Sequence, residues 1–319
     1  MNKANKADSV SIVVPVYEEE KNVTLLYEAI KKVMDGTRRE YEMVFVDDGS
    51  KDSTFTVLEG IQSNDDKVVV VSFRRNFGQT AAMAAGIEYA EGDVIITMDG
   101  DLQNDPVDIP NMLEKIKDVD IVSGWRKKRK DPFISRRFPS IVANWLISRV
   151  TGVHLHDYGC TLKAYRKEVI KNVRLYGEMH RFIPAMASWV GASIVEVETT
   201  HHERKYGKSK YGISRTFRVL LDLITVKFLQ SFSTRPIQAF GPLGLVLGFI
   251  GGVFSVYLAG SKLIFGHDIG GRPLLLLAVL CIILGVQLIV MGLLGEMLAR
   301  VYHESQHKPI FFVKKVLGK

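Results

Sequence analysis

Two carboxylates one residue apart, Asp99 and Asp101, end the apolar β-branched run Val94-Ile95-Ile96-Thr97-Met98 and are followed by Leu102-Gln103. A run of that kind reads as a buried strand, which puts both acids at its C-terminal edge, where open α/β sheets bind ligands. Paired hard oxygens at this spacing suit one shared divalent cation. Magnesium and manganese are octahedral and take few protein carboxylates, which leaves positions for water and phosphate oxygens. The pattern points to a substrate that carries a diphosphate. Asp-Gly-Asp is also an ordinary turn sequence, so its weight depends on the segments around it.

Those segments repeat one arrangement. Val10 to Tyr17 is strand-like and runs into the acidic triplet Glu18-Glu19-Glu20, and Glu42 to Val46 runs into Asp47-Asp48-Gly49-Ser50. A third strand, Val68 to Phe73, leads through Arg74-Arg75-Asn76-Phe77-Gly78 into an Ala-rich helix from Thr80 to Ala90. Helix-like stretches from Asn22 to Met34 and from Ser53 to Ser63 separate the strands. Alternation of this kind predicts an α/β fold with a doubly wound, mostly parallel sheet and its acidic clusters along one edge. A dinucleotide dehydrogenase would need Gly-x-Gly-x-x-Gly after its first strand. Pro15-Val16-Tyr17-Glu18-Glu19 has no glycine, and there is no Walker loop. Phosphate charge must then be met by a cation and by later basic residues.

Taken together and in this order, the motifs resemble the inverting, GT-A fold glycosyltransferases of family 2, and within them the polyprenyl-phosphate sugar transferases. The resemblance rests on Pro15-Val16-Tyr17 with Glu19, Val46 to Thr54, Arg75-Asn76-Phe77-Gly78, Asp99 to Gln103, Asp157-Tyr158-Gly159-Cys160 and Tyr206 to Tyr211. It spans roughly Ser9 to Ser214 and implies a Rossmann-like GT-A catalytic domain over residues 1–213. It also implies that Pro15, Tyr17, Glu19 and Asp48 hold the base and ribose of a nucleotide-sugar donor. Asp99 would lie against ribose and diphosphate and share Mg2+ or Mn2+ with Asp101 and Gln103. Asp157, near the acceptor, would be the catalytic carboxylate, as general base or orienting group. Relatives often have Asn after the Tyr, where this chain has Glu18.

Charge identifies further candidates. Diphosphate departure concentrates negative charge that a metal and Arg or Lys stabilise. Arg126 in Gly124-Trp125-Arg126, and Arg204 and Lys210 in the basic run from His201 to Lys210, are placed to supply it, the run resembling a mobile donor-covering loop. An acceptor phosphate with a second pKa of about 6 is already a nucleophile at neutral pH, so it has little need of a base. His154 and His156 read as loop or packing residues. No third nitrogen or sulfur ligand lies nearby in sequence, which argues against zinc.

The C-terminal third is greasy. Residues 236–263 and 273–295 each suffice to cross a hydrocarbon core about 30 Å thick at about 20 residues per crossing. The short link Gly266 to Arg272 makes them a hairpin, here residues 235–299. Arg215, Arg218, Lys227 and Arg235 precede it, and Arg300, Lys308, Lys314, Lys315 and Lys319 follow. By the positive-inside rule both termini and the catalytic domain face the cytoplasm, with 300–319 as a cytoplasmic tail. Residues 214–234 read as an amphipathic helix lying in the membrane interface, and Phe133 to Val150 as a second candidate. Gly244, Gly248, Gly251 and Gly252 suit close helix packing between copies, as in a homo-oligomer.

The 319 residues carry a formal net charge of +7, which suits anionic lipid and anionic substrates. No nucleic-acid recognition motif accompanies that charge. Cys160 and Cys281 are too far apart in sequence to imply a disulfide framework, and residues 1–6 lack the apolar core of a signal peptide. The expectation is an integral protein of a bacterial inner membrane that moves one sugar onto undecaprenyl or dolichyl phosphate. UDP-glucose is the leading donor, with GDP-mannose or an aminoarabinose nucleotide as alternatives. A processive synthase would carry Gln-x-x-Arg-Trp and more membrane helices; a nucleotide-sugar-binding scaffold or sensor is the non-enzymatic alternative.

Overall fold

A computed structural model describes residues 8–127, 138–173, 175, 179–189, 191–203, 237–305 and 311–319. The chain forms two compact units, residues 1–226 with 309–319, and residues 227–308.

The first unit is built on a mixed sheet. Its strands are β1 (Val10–Val16), β2 (Tyr41–Asp47), β3 (Val68–Phe73), β4 (Val94–Thr97), β5 (Ile121–Trp125), β6 (Lys163–Arg166), β7 (Ile194–Glu198) and β8 (Val313–Leu317), in the order β7-β5-β6-β4-β1-β2-β3-β8. β1 runs parallel to β2 and β4, β2 to β3, and β5 to β7. β6 is antiparallel to β4 and β5, and β8 to β3. Every residue of β1, β3 and β4 is buried, because helices cover both faces and no solvent face imposes alternation. On one face α1 (Val23–Thr37), α2 (Thr54–Gln62) and α4 (Ile109–Lys115) pack over Val10, Ile12 and Val14. On the other, α3 (Gln79–Tyr89), α6 (Lys167–Ile170) and α7 (Ile183–Ser188) pack over Val13, Val44 and Ile95. α1 buries Val23, Leu26, Ile30 and Met34, one stripe at helical spacing.

The strand order places the site. Successive strands move outward from β1 through β2 to β3, and β4 then returns to the opposite side of β1. That reversal opens a crevice at the C-terminal ends of β1 and β4, the usual ligand position in such sheets. Val13 pairs with Thr97 in register, so Tyr17 to Glu19 and Asp99 to Asp101 leave the sheet side by side.

Two expectations change at the C-terminus. The segment expected as a tail contributes β8, a short lysine-bearing strand that covers the outer edge of β3. The second long helix also runs beyond residue 295, to Ser305.

The second unit contains α8 (Ile237–Phe265) and α9 (Pro273–Ser305), joined by residues 266–272. Phe240–Phe265 and Pro273–Gly295 are long and apolar enough to cross a membrane. Phe249 and Leu263 are exposed on the first and Leu276 and Val286 on the second, a surface suited to hydrocarbon. A Cβ on Gly244 would lie 2.7 Å from the Gly285 carbonyl oxygen, and one on Gly251 2.7 Å from that of Ala278. These glycines, read in the sequence as contacts between copies, bring the two helices of one hairpin together. The amphipathic segment 214–234 and residues 133–137 lie outside the described residues. α5 (Phe138–Thr151) buries Ile147 and exposes Ile141 and Trp145.

The turn after β2 shows how tightly the crevice loops meet. Gly49 has φ +69°, and a Cβ there would lie 2.7 Å from the Arg75 Cα. Gly49→Ala is expected to destabilise the detergent-solubilised protein by about 2–4 kcal/mol, through backbone strain and overpacking. Gly36→Ala, in α1 with open space around it, should instead stabilise by about 0.5 kcal/mol. Thermal unfolding of the two variants side by side measures the contrast, and equal shifts would refute it.

Candidate active site

The first wall is the turn after β1. Glu18 takes a left-handed conformation, φ 54°. Asn would adopt it with less strain than Glu. Side chains of the second-strand motif hold the turn. The Glu18 amide donates to Ser50 Oγ at 2.9 Å and the Glu19 amide to Thr54 Oγ1 at 2.9 Å. Asn22 Nδ2 donates to Glu19 Oε2 at 2.5 Å.

The two acids after β2 have different duties. Asp47 is buried and accepts from the Ser50 amide at 3.0 Å and Ser72 Oγ at 2.9 Å, which makes it the lock of its own turn. Asp48, also buried, accepts from the Phe77 amide at 2.7 Å and the Gly78 amide at 2.9 Å. Burial pushes the Asp48 carboxyl up to about 6 in spite of these two bonds, and the Asp47 charge adds to the rise.

After β4, Asp99 Oδ1 accepts from Gln79 Nε2 at 2.8 Å, and Asp101 Oδ1 from the Gln103 amide at 3.1 Å. Leu102, between them in the turn, has φ 63°. The Gln103 carbonyl accepts from the His202 amide at 2.9 Å, which ties this turn to the segment leading into the basic run. Burial first, then the Asp101 charge, hold the Asp99 carboxyl above its ordinary range, while Arg126 and Lys163 oppose that shift.

Arg126 and Asp157 form the third wall. Arg126 Nε donates to Asp157 Oδ2 at 2.7 Å and its Nη2 to Oδ1 at 3.0 Å, a bidentate pair reinforced by the Arg126 amide at 3.3 Å. Burial opposes the guanidinium charge, but Asp157 more than offsets it. Asp157 is itself 2% exposed. The loop around it is fixed by Glu196 of β7, which accepts from the His156 and Asp157 amides and pairs with His156 Nδ1 at 2.7 Å. The His156 ring stacks on Trp125 with centroids 4.3 Å apart, so it serves as a packing residue. Beneath the loop the buried Lys163 ammonium donates to the carbonyls of Tyr158 and Cys160, and burial pushes its pKa down. Arg126 and Asp157 line a cavity of about 460 Å³ together with Trp125, His156, and Ile141 and Trp145 of α5.

The structure thus gathers Pro15, Tyr17, Glu19, Asp48, Asp99, Asp101, Gln103, Arg126 and Asp157 along one sheet edge. Arg204 and Lys210 lie outside the described residues. Gln79, Lys163 and Glu196 were not anticipated. Lys163 alone left a trace in the sequence, a charge inside Leu162-Lys163-Ala164-Tyr165, which otherwise reads as buried strand. Among the described residues no three His, Cys, Asp or Glu side chains gather as a complete metal site. Two adjacent carboxylates whose charges oppose each other fit a hard divalent ion whose remaining ligands come from phosphate and water.

Such an edge, with acids after three parallel strands and a guanidinium facing them, can hold a metal-bound anionic ligand. The chain belongs to glycosyl transferase family 2, whose model matches residues 11–174. It is 47% identical to the dodecaprenyl-phosphate galacturonate synthase of Rhizobium johnstonii over 96% of this chain and 92% of that one. It is 36% identical to an undecaprenyl-phosphate 4-deoxy-4-formamido-L-arabinose transferase of Shewanella sediminis, over 99% and 95% of the two chains. The crystal structure of Mycobacterium tuberculosis glucosyl-3-phosphoglycerate synthase in complex with Mn2+, UDP and phosphoglyceric acid shares the GT-A fold. Its TM-score is 0.54 at 16% identity, over 71% of this chain and 79% of that one.

Asp157→Asn keeps the side-chain shape but leaves Arg126 without its counter-charge. Turnover is expected to fall about 10²-fold or more, with nucleotide affinity within about twofold of the original. Steady-state kinetics alongside calorimetric nucleotide binding test this, and unchanged turnover would remove Asp157 from the mechanism.

Proposed function

We propose that this chain is a membrane-anchored, inverting polyprenyl-phosphate sugar transferase. The observation that carries the reading is the facing of two charge sets across one crevice: Asp99 and Asp101 after β4, and the Arg126–Asp157 pair beside an apolar-rimmed cavity. In this reading Pro15, Tyr17, Glu19 and Asp48 hold the base and ribose of the donor. Asp99 and Asp101, with Gln103 beside them, hold Mg2+ or Mn2+. When bound, the cation neutralises the leaving diphosphate. Arg204 and Lys210 keep the role read for them in the sequence, offsetting the charge of the departing diphosphate.

The acceptor phosphate lies against Arg126, and its isoprenoid chain leaves past Ile141 and Trp145, which are exposed on α5. One phosphate oxygen forms a bond to the anomeric carbon as the bond from that carbon to the donor diphosphate breaks, and the nucleoside diphosphate departs with the bonding pair. A phosphate dianion brings no proton that must be removed. Asp157, fully engaged with Arg126, therefore acts by fixing the guanidinium and not as a general base.

The names of the relatives favour a donor that carries galacturonate, or 4-deoxy-4-formamido-arabinose, over the UDP-glucose expected from the sequence. They support undecaprenyl phosphate, or the dodecaprenyl phosphate one isoprene unit longer, as acceptor. Two helices of membrane-spanning length between catalytic domain and β8 return the chain to the side it left. With the flanking Lys and Arg, this favours a cytoplasmic catalytic domain at a bacterial inner membrane.

The test is sugar transfer in detergent with polyprenyl phosphate, Mg2+ or Mn2+, and a panel of labelled nucleotide sugars. A lipid-linked product is expected from a galacturonate or aminoarabinose donor, abolished by EDTA and reduced about 10²-fold or more in Asp101→Ala. Absence of a lipid-linked product with every donor would refute the reading.

A further inference from the structure

The residues that close the chain reach the crevice from behind. Ahead of β8, buried Phe311 stacks on Phe73 with centroids 5.1 Å apart, and Phe312 lies against Phe77 at 6.0 Å. The Phe312 carbonyl accepts from the Arg74 amide at 3.1 Å, and Phe73 meets Phe77 edge to face at 5.7 Å. Residues 311–312 therefore seat the outer side of segment 73–77. The inner side of that same stretch does the work described above. The Phe77 and Gly78 amides hold Asp48, and Gln79 holds Asp99. Residues 77–79 thus orient two carboxylates of the crevice while leaning on a part of the chain more than two hundred residues away.

We infer that Phe311 and Phe312 are positioning residues for the donor site, so that the site is complete only after the chain has passed through both apolar helices and returned to the sheet. The inference rests on the donor-site reading above. Covering the edge of β3 does not by itself account for the arrangement. That task falls to the ladder from Val70 to Phe73 with Val313 to Leu317, helped by Lys315 on Glu59 and Lys319 on Glu91. Phe312 precedes the ladder and its residue is 64% exposed, so its ring adds little to core burial. What the ring does touch is Phe77, one residue from Gly78 and two from Gln79. An aromatic contact of this type is worth little to global stability but enough to set the opening of one loop.

The experiment uses the full-length protein in detergent and compares Phe312→Ser, Phe312→Tyr and, as control, Lys319→Ser. Amide exchange read by mass spectrometry over residues 74–79 should speed up about tenfold in Phe312→Ser, a local opening, with the unfolding temperature retained. The dissociation constant for UDP with Mn2+ should rise about fivefold, as expected when a pocket loses preorganisation. Phe312→Tyr should restore both, and Lys319→Ser should change neither. Unchanged exchange over 74–79 overturns the inference, and so does faster exchange with unaltered UDP affinity. If the original chain does not bind UDP, or Asp48→Ala binds it equally well, the donor-site reading fails instead, and exchange alone decides whether the two segments are coupled.

Discussion

Asp47, Asp48, Asp99, Asp101 and Asp157 converge on one edge of one sheet, and the neighbouring structure answers the cost of keeping those charges out of water. Carboxylates removed from water must be hydrogen-bonded, paired or protonated. Asp47 is answered by Ser50 and Ser72, Asp48 by two backbone amides, and Asp157 by a bidentate arginine. Asp99 accepts from Gln79 Nε2 and Asp101 from the Gln103 amide, and the opposition between their two charges is relieved in part by Arg126 and by the buried Lys163. A hard divalent cation between them would offset that opposition. Burying Lys163 opposes its own ionisation, yet its ammonium bridges two carbonyls of the loop that carries Asp157. One cation thereby both stiffens the loop that carries Asp157 and tempers the charge at Asp99.

What could be read in the sequence were features encoded locally. Runs such as Val68 to Phe73 announce buried strands by β-branching, and acids with glycine after such runs announce the loops at their ends. Parallel alternation puts Asp99 and Tyr17 on one edge of the sheet, but their adjacency comes from the pairing of β1 with β4. The duty of Asp157 was less legible, because it depends on Arg126, thirty-one residues away on another strand. β8 was not legible at all. Val313-Lys314-Lys315-Val316-Leu317 is short and charged, as edge strands are, and its partner β3 lies on the far side of both long helices. The glycines of the hairpin mark the difference between the two kinds of information. Small residues show that some backbone approaches closely, but Gly244 and Gly251 do not say whose, and the approaching backbone belongs to the same chain.

The division of labour around the crevice bears on how sugar and lipid are chosen. The groups assigned to the nucleotide leave β1, β2 and β4, whereas Arg126 leaves β5 and Asp157 sits in a loop fixed by β7 and Lys163 of β6. On the proposed assignment two halves of one sheet carry two recognition tasks, and they join along the β4–β6 ladder, where Arg126 and Lys163 also act on Asp99. Contacts to the sugar can vary on such a scaffold without disturbing the hold on a phosphate, because packing couples neighbours far more strongly than distant sites. The relatives fit this pattern, since their names differ in the sugar, galacturonate against a formamido-arabinose, while both name a polyprenyl phosphate. On the proposed assignment the Arg126–Asp157 pair serves the phosphate named in both, and a preference between donors is then encoded in the loops that face the sugar.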